Sequence, residues 1–366
     1  MSLVNKKIWI DLEQPKAAIM LNSLIKMFKS EEAEVMITAR DYDSTYKLLE
    51  EKNIEFTKVG EHGGSKLETK LQTYIERLGG LFPLVKKFQP DYFVTFMSIE
   101  GIRIAYGLKI PSIGFNDEPR NIPVCKLMLP FIDHVITPQC IPKEWYIQLC
   151  AEARKITQYN GIDEIAWLSE FTPNPKKLKS FDLEKNKYVI MRSEPSSACY
   201  FLDRLKPNET LLSEIFPPLF RRFPNHKYLL LVRNQVQKDF LKKTLKKYQD
   251  KPNLIITQYL PHLDDLCFYS SLVISGGGTI VRESSLLNIP SIEFFPGETA
   301  PQEHFLINNG FPLEHIEGVD RITRRAINII EEGSNAERDI QSVQNKIKKY
   351  DNPNKICFNY VKVNMG

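Results

Sequence analysis

The residues best placed for chemistry are a glycine run and the acidic helix that follows it. Residues 272–274 (LVI) predict a short buried strand, and residues 275–279 (SGGGT) predict a turn that opens a helix. A helix that begins on such a turn directs free backbone N–H groups and a positive dipole end outward, which suits a phosphate. Glycine also lets the backbone adopt a positive φ and approach a ligand closely. The predicted phosphate-binding residues are Ser275, Gly276, Gly277, Gly278 and Thr279.

Two charged residues lie one turn into this helix. The Glu283 carboxylate is placed to accept hydrogen bonds from two sugar hydroxyls, and Arg282 either contacts phosphate or faces solvent. The alternative for the whole segment is a tight strand-to-helix turn without a ligand. Its spacing matches neither G-x-x-x-x-G-K-[ST] nor G-x-G-x-x-G, so neither of those phosphate-binding motifs applies.

The N-terminal half offers candidate proton-transfer groups. Asp117 and Glu118 end a predicted strand, where a carboxylate can act as general base for an acceptor hydroxyl or remove a proton from sugar C2. The alternative for Asp117 is a helix cap before Pro119. Asp11 ends the first strand and is either a base or a loop anchor. His62, in the polar loop 60–66, is either a sugar contact or a solvated side chain.

The C-terminal half offers two further charged candidates. Arg192 and Glu194 end the first strand of that half. Arg192 could stabilise a departing diphosphate, which is the role that cations play in phosphate leaving groups. Its alternative is an ion pair between domains.

The elements that must position these residues alternate between strand and helix. This alternation predicts two parallel sheets covered by helices on both faces, with the strand carboxyl ends gathered at one edge of each sheet. The predicted class is α/β, with two Rossmann-like doubly wound domains and a cleft between them. The N-terminal domain is expected at residues 1–165 and the C-terminal domain at 180–345. Residues 346–366 are predicted to be a tail that returns toward the first domain.

Composition narrows the function classes. The 366 residues are 42% hydrophobic and 26% charged, with a net charge of +4, which is too weak an excess to indicate nucleic-acid binding. The six cysteines form no C-x-x-C pair, which argues against a zinc ribbon and for reduced thiols. No apolar run reaches membrane-spanning length. The expected location is the cytoplasm, with peripheral contact to the inner membrane face as a further possibility.

The segment 276–290 (GGGTIVRESSLLNIP) resembles the sugar-nucleotide signature of MurG-type glycosyltransferases. It is also similar to the Ser-Gly-Gly…Glu segment of non-hydrolysing UDP-N-acetylglucosamine 2-epimerases. The resemblance implies the GT-B fold, with the diphosphate on the glycine turn and the ribose hydroxyls on Glu283. It further implies that Gln302 contacts the donor sugar, with helix capping as the alternative. No metal or other cofactor is expected, because the helix terminus and Arg192 can neutralise the diphosphate.

A closer resemblance covers nearly the whole chain. It is to an archaeal and bacterial GT-B-like family without an assigned activity. At two positions where that family is expected to carry histidines, this chain has Lys16-Ala17 and Pro119-Arg120, which implies an altered or inactive member if those histidines are catalytic. The matching stretches are residues 8–12 (IWIDL), 38–42 (TARDY), 60–65 (GEHGGS), 115–118 (FNDE), 159–161 (YNG), 192–195 (RSEP) with Ala198 and Tyr200, and 276–279 (GGGT) with Arg282 and Glu283.

The leading hypothesis is therefore a nucleotide-sugar-dependent glycosyltransferase-like enzyme of glycan or cell-surface polysaccharide synthesis. Its partners would be a UDP-linked donor and a lipid or glycan acceptor, without nucleic acid. One alternative is a UDP-N-acetylglucosamine 2-epimerase, although residues 96–98 (FMS) stand where those enzymes carry an acidic residue. Another is a non-catalytic nucleotide-sugar-binding protein. Residues 81–85 (LFPLV) indicate a core or dimer stripe more than a membrane contact, and the oligomeric state is left open.

Overall fold

The chain forms two compact units in a computed structural model that describes residues 2–64, 66–194, 209–295, 297–333 and 339–364. The first domain comprises Met1–Ser169 together with Lys349–Gly366, and the second comprises Glu170–Lys348. The chain thus leaves the first domain once and re-enters it near its C-terminus.

The described residues of the first domain build a seven-stranded parallel sheet of order β3-β2-β1-β4-β5-β6-β7. Its strands are β1 (Lys7–Leu12), β2 (Glu34–Asp41), β3 (Thr57–Glu61), β4 (Tyr92–Phe96), β5 (Ser112–Phe115), β6 (His134–Pro138) and β7 (Ile156–Tyr159). Its helices are α1 (Pro15–Ser30), α2 (Thr45–Glu51), α3 (Leu67–Phe88), α4 (Ile99–Gly107), α5 (Ile122–Met128), α6 (Lys143–Ile147), α7 (Ile165–Leu168) and, at the C-terminus, α15 (Pro353–Asn364).

The core of the first domain lies around its central strands. All five residues of β4 (YFVTF) are buried, as expected for a strand covered on both faces. The rings of Trp9 on β1 and Phe93 on β4 pack with centroids 4.1 Å apart. The C-terminal helix is fastened to α1, because the Asn354 side-chain amide donates to the Met20 carbonyl at 2.6 Å.

The described residues of the second domain build a six-stranded parallel sheet of order β10-β9-β8-β11-β12-β13. Its strands are β8 (Tyr188–Arg192), β9 (Lys227–Leu231), β10 (Leu254–Thr257), β11 (Leu272–Ser275), β12 (Ser291–Glu293) and β13 (Leu313–His315). Its helices are α8 (Leu212–Arg222), α9 (Gln235–Thr244), α10 (Leu263–Tyr269), α11 (Gly278–Leu286), α12 (Pro301–Asn308), α13 (Val319–Glu332) and α14 (Ile340–Ile347).

Both sheets reverse their strand order at one point, between β1 and β4 in the first domain and between β8 and β11 in the second. In open parallel sheets, ligands bind beyond the strand carboxyl ends at such a switch point. The predicted class of two Rossmann-like α/β domains is confirmed. Among the described helices, none combines the length and the apolarity needed to cross a bilayer.

Candidate functional site

The glycine turn lies at the switch point of the second domain. Strand β11 ends at Ser275 and helix α11 begins at Gly278. The Ser275 hydroxyl accepts from the Gly277 N–H at 3.1 Å and lies 2.8 Å from the Gly277 carbonyl oxygen. Ser275 is fully buried, so its side chain holds the turn from below. The first turn of α11, which includes Thr279, directs its amides beyond the sheet edge.

The backbone conformation of the glycine run differs from the prediction. None of the three adopts a positive φ, and Gly277 is extended at φ −158°. The positive-φ expectation was wrong; the need is for space. A Cβ on Gly276 would lie 2.8 Å from the Cα of Glu194, and one on Gly278 would collide with the Glu303 carboxylate. Close packing of β8 and α12 against the turn therefore accounts for glycine at both positions.

Arg192 stands beside this turn. It ends β8 in register with Ser275 on β11, and its carbonyl accepts from the Gly276 N–H at 3.1 Å. The Arg192 Nε atom is buried and has no hydrogen-bond partner among the described residues. Since buried N–H donors are almost always satisfied, this one is suited to an external acceptor.

The acidic and basic residues of α11 are buried rather than solvated. Glu283 is only 3% exposed. Arg282 is paired with Glu303 of α12, with Nη1 to Oε1 at 3.2 Å, so the solvent-facing alternative for Arg282 was wrong. Gln302, the neighbour of Glu303, is also buried. The structure therefore groups these predicted substrate-binding residues on α11 and the start of α12.

Glu194 acts as an anchor in the described structure. Its carboxylate accepts from the Thr210 hydroxyl at 2.7 Å and the Leu211 N–H at 2.8 Å, and burial raises its pKa. The buried Gln237 side chain donates to the Glu194 carbonyl at 3.0 Å. These contacts fix the chain after β8. The other predicted motif residues nearby, Pro195, Ala198 and Tyr200, lie outside the described residues, as does Ser65 of the first domain.

Asp11 lies at the switch point of the first domain and is fully buried. Its carboxylate accepts from Thr38 Oγ1 at 2.6 Å and Ser98 Oγ at 2.5 Å, and it pairs with Arg77 Nη2 at 2.8 Å. A carboxylate with this many donors holds elements together, which favours the anchor alternative over the base. Ser98 of the FMS stretch thus supports Asp11.

Arg77 was missed by the sequence interpretation. It lies on α3 and is 1% exposed; its Nη1 pairs with Glu100 at 3.1 Å and its Nε donates to the Val59 carbonyl at 3.0 Å. One guanidinium therefore joins α3, β3, α4 and β1. An arginine in the middle of an amphipathic helix gives no sequence signal for such a position.

Glu13, just after β1, is the second missed residue. It is 7% exposed, and burial raises its pKa to about 8, an effect partly opposed by Arg40. Glu13 therefore carries a proton at neutral pH, the state required of a general acid. Its position directly beyond a buried parallel strand is the signal that could have identified it.

His62 packs against the end of β2. Its ring lies 4.3 Å from that of Tyr42, and its Nδ1 accepts from the Gly64 N–H at 3.1 Å. Burial, with Arg40 nearby, lowers the His62 pKa to about 4, so the imidazole is neutral at physiological pH. His62 is nevertheless exposed to solvent, as the solvated alternative expected, and its ring contact with Tyr42 lies at the surface.

Asp117 and Glu118 differ in burial and in ion-pair partner. Asp117 is 7% exposed and is ion-paired with Lys16 of α1, whereas Glu118 forms a half-exposed pair with Arg120 at 2.6 Å. The helix cap proposed as the alternative for Asp117 was wrong, because α5 begins after Asn121.

Lys16 gathers further carboxylates at the same edge. Its Nζ lies 2.8 Å from Asp163 Oδ2 and 3.7 Å from Glu164 Oε1, in addition to the Asp117 pair. Burial raises the Asp163 pKa to about 6, partly opposed by Lys16. Lys16, which occupies a position where the resemblance implied a histidine, therefore stands among three acidic side chains. In the described parts of the chain, no cluster of three His, Cys, Asp or Glu residues is arranged to hold a metal ion.

The chain has the GT-B fold, with two parallel-sheet α/β domains that each gather polar residues at a switch point. Within that class, the chain belongs to the family described as "Protein of unknown function (DUF354)", whose model matches residues 6–363. It is 27% identical over 311 residues to the uncharacterized protein MJ0665 of Methanocaldococcus jannaschii, covering 83% of this chain and 86% of that protein.

Solved structures share the fold at low identity. An S. aureus MnaA–UDP co-structure matches with a TM-score of 0.71 and 14% identity, covering 98% of this chain and 97% of that one. A Neisseria meningitidis UDP-GlcNAc 2-epimerase bound to UDP-GlcNAc matches with a TM-score of 0.69 and 13% identity, covering 97% and 99%. The glycotransferase of kitacinnamycin matches with a TM-score of 0.58 and 11% identity, covering 98% of both chains.

Proposed function

We propose that this protein is a nucleotide-sugar-dependent enzyme that binds a UDP-linked sugar through its second domain and transfers the sugar to an acceptor hydroxyl. The observation that carries the proposal is the Arg192 Nε, which is buried and has no hydrogen-bond partner among the described residues, on the strand next to the turn that opens the N-terminus of α11. Both features attract an anion, and they meet at a switch point. Two solved structures of this fold contain UDP or UDP-GlcNAc, which supports the choice of nucleotide.

In the second domain, different residues would bind the diphosphate, the ribose and the sugar of the nucleotide-sugar donor. The amides of the α11 N-terminus and the Arg192 guanidinium would hold the diphosphate, and Glu283 would accept from the ribose hydroxyls. Gln302, at the start of α12, would contact the sugar. When the bond between the anomeric carbon and the diphosphate breaks, negative charge develops on the departing UDP. Arg192 would stabilise that charge without a metal ion.

The first domain would supply proton transfer. Asp117, in its ion pair with Lys16, is the proposed base for the acceptor hydroxyl. Glu13 is protonated at neutral pH and is the proposed acid. Asp11 is not retained as the base, because Arg77, Thr38 and Ser98 already occupy its carboxylate.

Titration calorimetry with UDP tests the proposal. The wild-type protein should bind UDP more tightly than UMP, because the diphosphate is the recognised group. Arg192→Gln should weaken UDP binding by about tenfold to a hundredfold, in line with the ~1.5–3 kcal/mol of a hydrogen bond to a charged group. The matched control is Arg221→Gln on α8, which is exposed and should leave binding unchanged. Equal affinity of Arg192→Gln and the wild type would refute the proposed site.

A second candidate, a C2 epimerase, is favoured by a different observation. The first domain contains two buried carboxyls, Glu13 and Asp163, whose pKa values of about 8 and about 6 bracket neutral pH. Removal and return of a carbon-bound proton needs such a pair. Incubation with UDP-GlcNAc in D₂O distinguishes the reactions: deuterium at sugar C2 indicates an epimerase, and UDP release that depends on an added acceptor indicates a transferase. Binding without either would indicate a nucleotide-sugar-binding protein.

A further inference from the structure

Helix α3 of the first domain leaves an apolar stripe uncovered. Only Arg77, Leu81 and Val85 of its 22 residues are buried. Elsewhere on the helix, large apolar side chains are exposed to an unusual degree, reaching 83% at Leu67. The exposed apolar residues are Leu67, Leu71, Ile75 and Phe82. A row of this kind is more than the scattered apolar residues of an ordinary surface, and it marks an interaction site.

Two residues of the stripe, Ile75 and Phe82, lie on a line of exposed positions that has the repeat of a helix-pairing seam, and Leu67 and Leu71 flank this line. Along the line, Glu68, Ile75 and Phe82 recur every seven residues, and so do Gln72, Gly79 and Lys86. All six are exposed. At 100° per residue, these two series run side by side along one line of the helix, as the seam of a coiled coil does. The stripe thus fits another helix rather than a small molecule.

Contacts with the described residues do not explain why position 79 is a glycine. A Cβ at this position would meet nothing within 4 Å, whereas a Cβ on the adjacent Gly80 would lie 2.9 Å from Val59 Cγ1. Glycine inside a helix costs about 1 kcal/mol relative to alanine. Gly80 is therefore required by the fold, while Gly79 leaves a notch in the exposed stripe that can receive a side chain from outside.

We propose that α3 pairs with α3 of a second copy of this chain, antiparallel about a two-fold axis at the height of Arg77. That register places Ile75 of each copy over the Gly79 notch of the other. The same register places Glu68 opposite Lys86. Apolar fit and charge complementarity therefore specify one arrangement independently, and each contact occurs twice, as two-fold symmetry requires.

The helix next to α3 offers further exposed apolar side chains to such an interface. Helix α3 is about 33 Å long, so a single helix pair falls short of the ~800 Å² per partner of a stable interface. Tyr106 and Leu108, at the end of α4, are also exposed, and α4 packs against α3. These residues would extend the interface beyond the helix pair. The inference does not depend on the proposed function.

Sedimentation velocity of the full chain tests the dimer. We expect twice the 42.4 kDa chain mass at micromolar concentration. Gly79→Leu fills the notch at a position where a Cβ meets no described atom within 4 Å. It should raise the dimer dissociation constant at least tenfold while circular dichroism stays unchanged. Val363→Glu, an exposed apolar position on α15, is the matched control and should remain dimeric.

A charge exchange tests the register. Lys86→Glu alone should weaken the dimer about tenfold, because it opposes like charges at both symmetric contacts. Adding Glu68→Lys should restore the wild-type dissociation constant, a rescue that only the antiparallel register predicts. A monomeric wild type, a dimer insensitive to Gly79→Leu, or a double variant without rescue would each overturn the inference. So would a monomer that binds vesicles of anionic phospholipid through this stripe.

Discussion

At the scale of single residues, two buried carboxyls at the end of β1 differ in the hydrogen-bond donors that surround them. The Asp11 carboxylate accepts from Arg77 and two hydroxyls, while Glu13, two residues later, is buried and accepts no such hydrogen bond from the described residues, although Arg40 and Arg77 lie nearby. The first arrangement stabilises a charge, and the second keeps a proton on the acid. The end of β1 thus carries an anchoring carboxylate and, two residues later, a carboxyl that is protonated at neutral pH.

We expect Asp11→Asn to destabilise the protein by about 3–5 kcal/mol, because it leaves the buried Arg77 guanidinium without its main charge partner. Thermal or urea unfolding followed by circular dichroism measures the change. Glu152→Gln removes one member of an exposed ion pair and is the control, with no measurable effect expected. A small loss for Asp11→Asn, equal to that of the control, would contradict the anchor role.

Glu13 gives a pH-dependent prediction. Its pKa rises from 4.5 to about 8 on folding, so the folded protein binds more protons than the unfolded chain between these values. Stability is therefore lost as pH rises from about 4.5 through about 8. Glu13→Gln removes this titration and should stabilise the protein by a few kcal/mol at pH 9, with little effect at pH 4.5. A difference between the two proteins that does not change with pH would contradict the assignment.

At the scale of elements, the turn between β11 and α11 in the second domain contains glycines because neighbouring elements pack closely against it. Gly276 faces the Glu194 backbone and Gly278 faces the Glu303 side chain. Their absence of side chains lets β8, β11 and α12 converge beneath the N-terminus of α11. The phosphate site proposed at this point would therefore depend on tight element packing as well as on free amides.

Gly276→Ala tests the packing requirement. The new Cβ would lie 2.8 Å from the Glu194 Cα, and the backbone must move to admit it. We expect a loss of about 1–3 kcal/mol, the usual cost of overpacking, in thermal unfolding. Gly107→Ala, whose Cβ would find its nearest neighbour at an ordinary 3.5 Å, is the control. Equal stability of both variants would show that close approach is not what requires glycine.

The elements were largely predictable because alternation of apolar strands and amphipathic helices is a local pattern. Strand β11 and helix α11 lie where the glycine run placed them. The partners of individual side chains were not predictable, since they depend on contacts distant in sequence. Arg77 reaches Asp11 across 66 positions and Lys16 reaches Asp117 across 101. The need for space at Gly276 and Gly278 was not predictable for the same reason, because Glu194 and Glu303 come from other elements.

At the scale of the whole molecule, each domain is a parallel sheet with one switch point, and each places its distinctive polar groups there. The first domain gathers titratable carboxyls and Lys16, and the second gathers an arginine and a helix N-terminus. These are the chemical requirements of proton transfer and of anion binding, respectively. The similarity to solved GT-B structures shows that the fold is shared, and the proposed activity depends on the residues of this chain.

The most direct test is the crystal structure of the protein grown with millimolar UDP. The account predicts the diphosphate within hydrogen-bond distance of the first amides of α11 and of Arg192 Nε, with the ribose against Glu283. Crystals in which UDP lies elsewhere, or in which that corner of the second domain stays free of ligand, would contradict it.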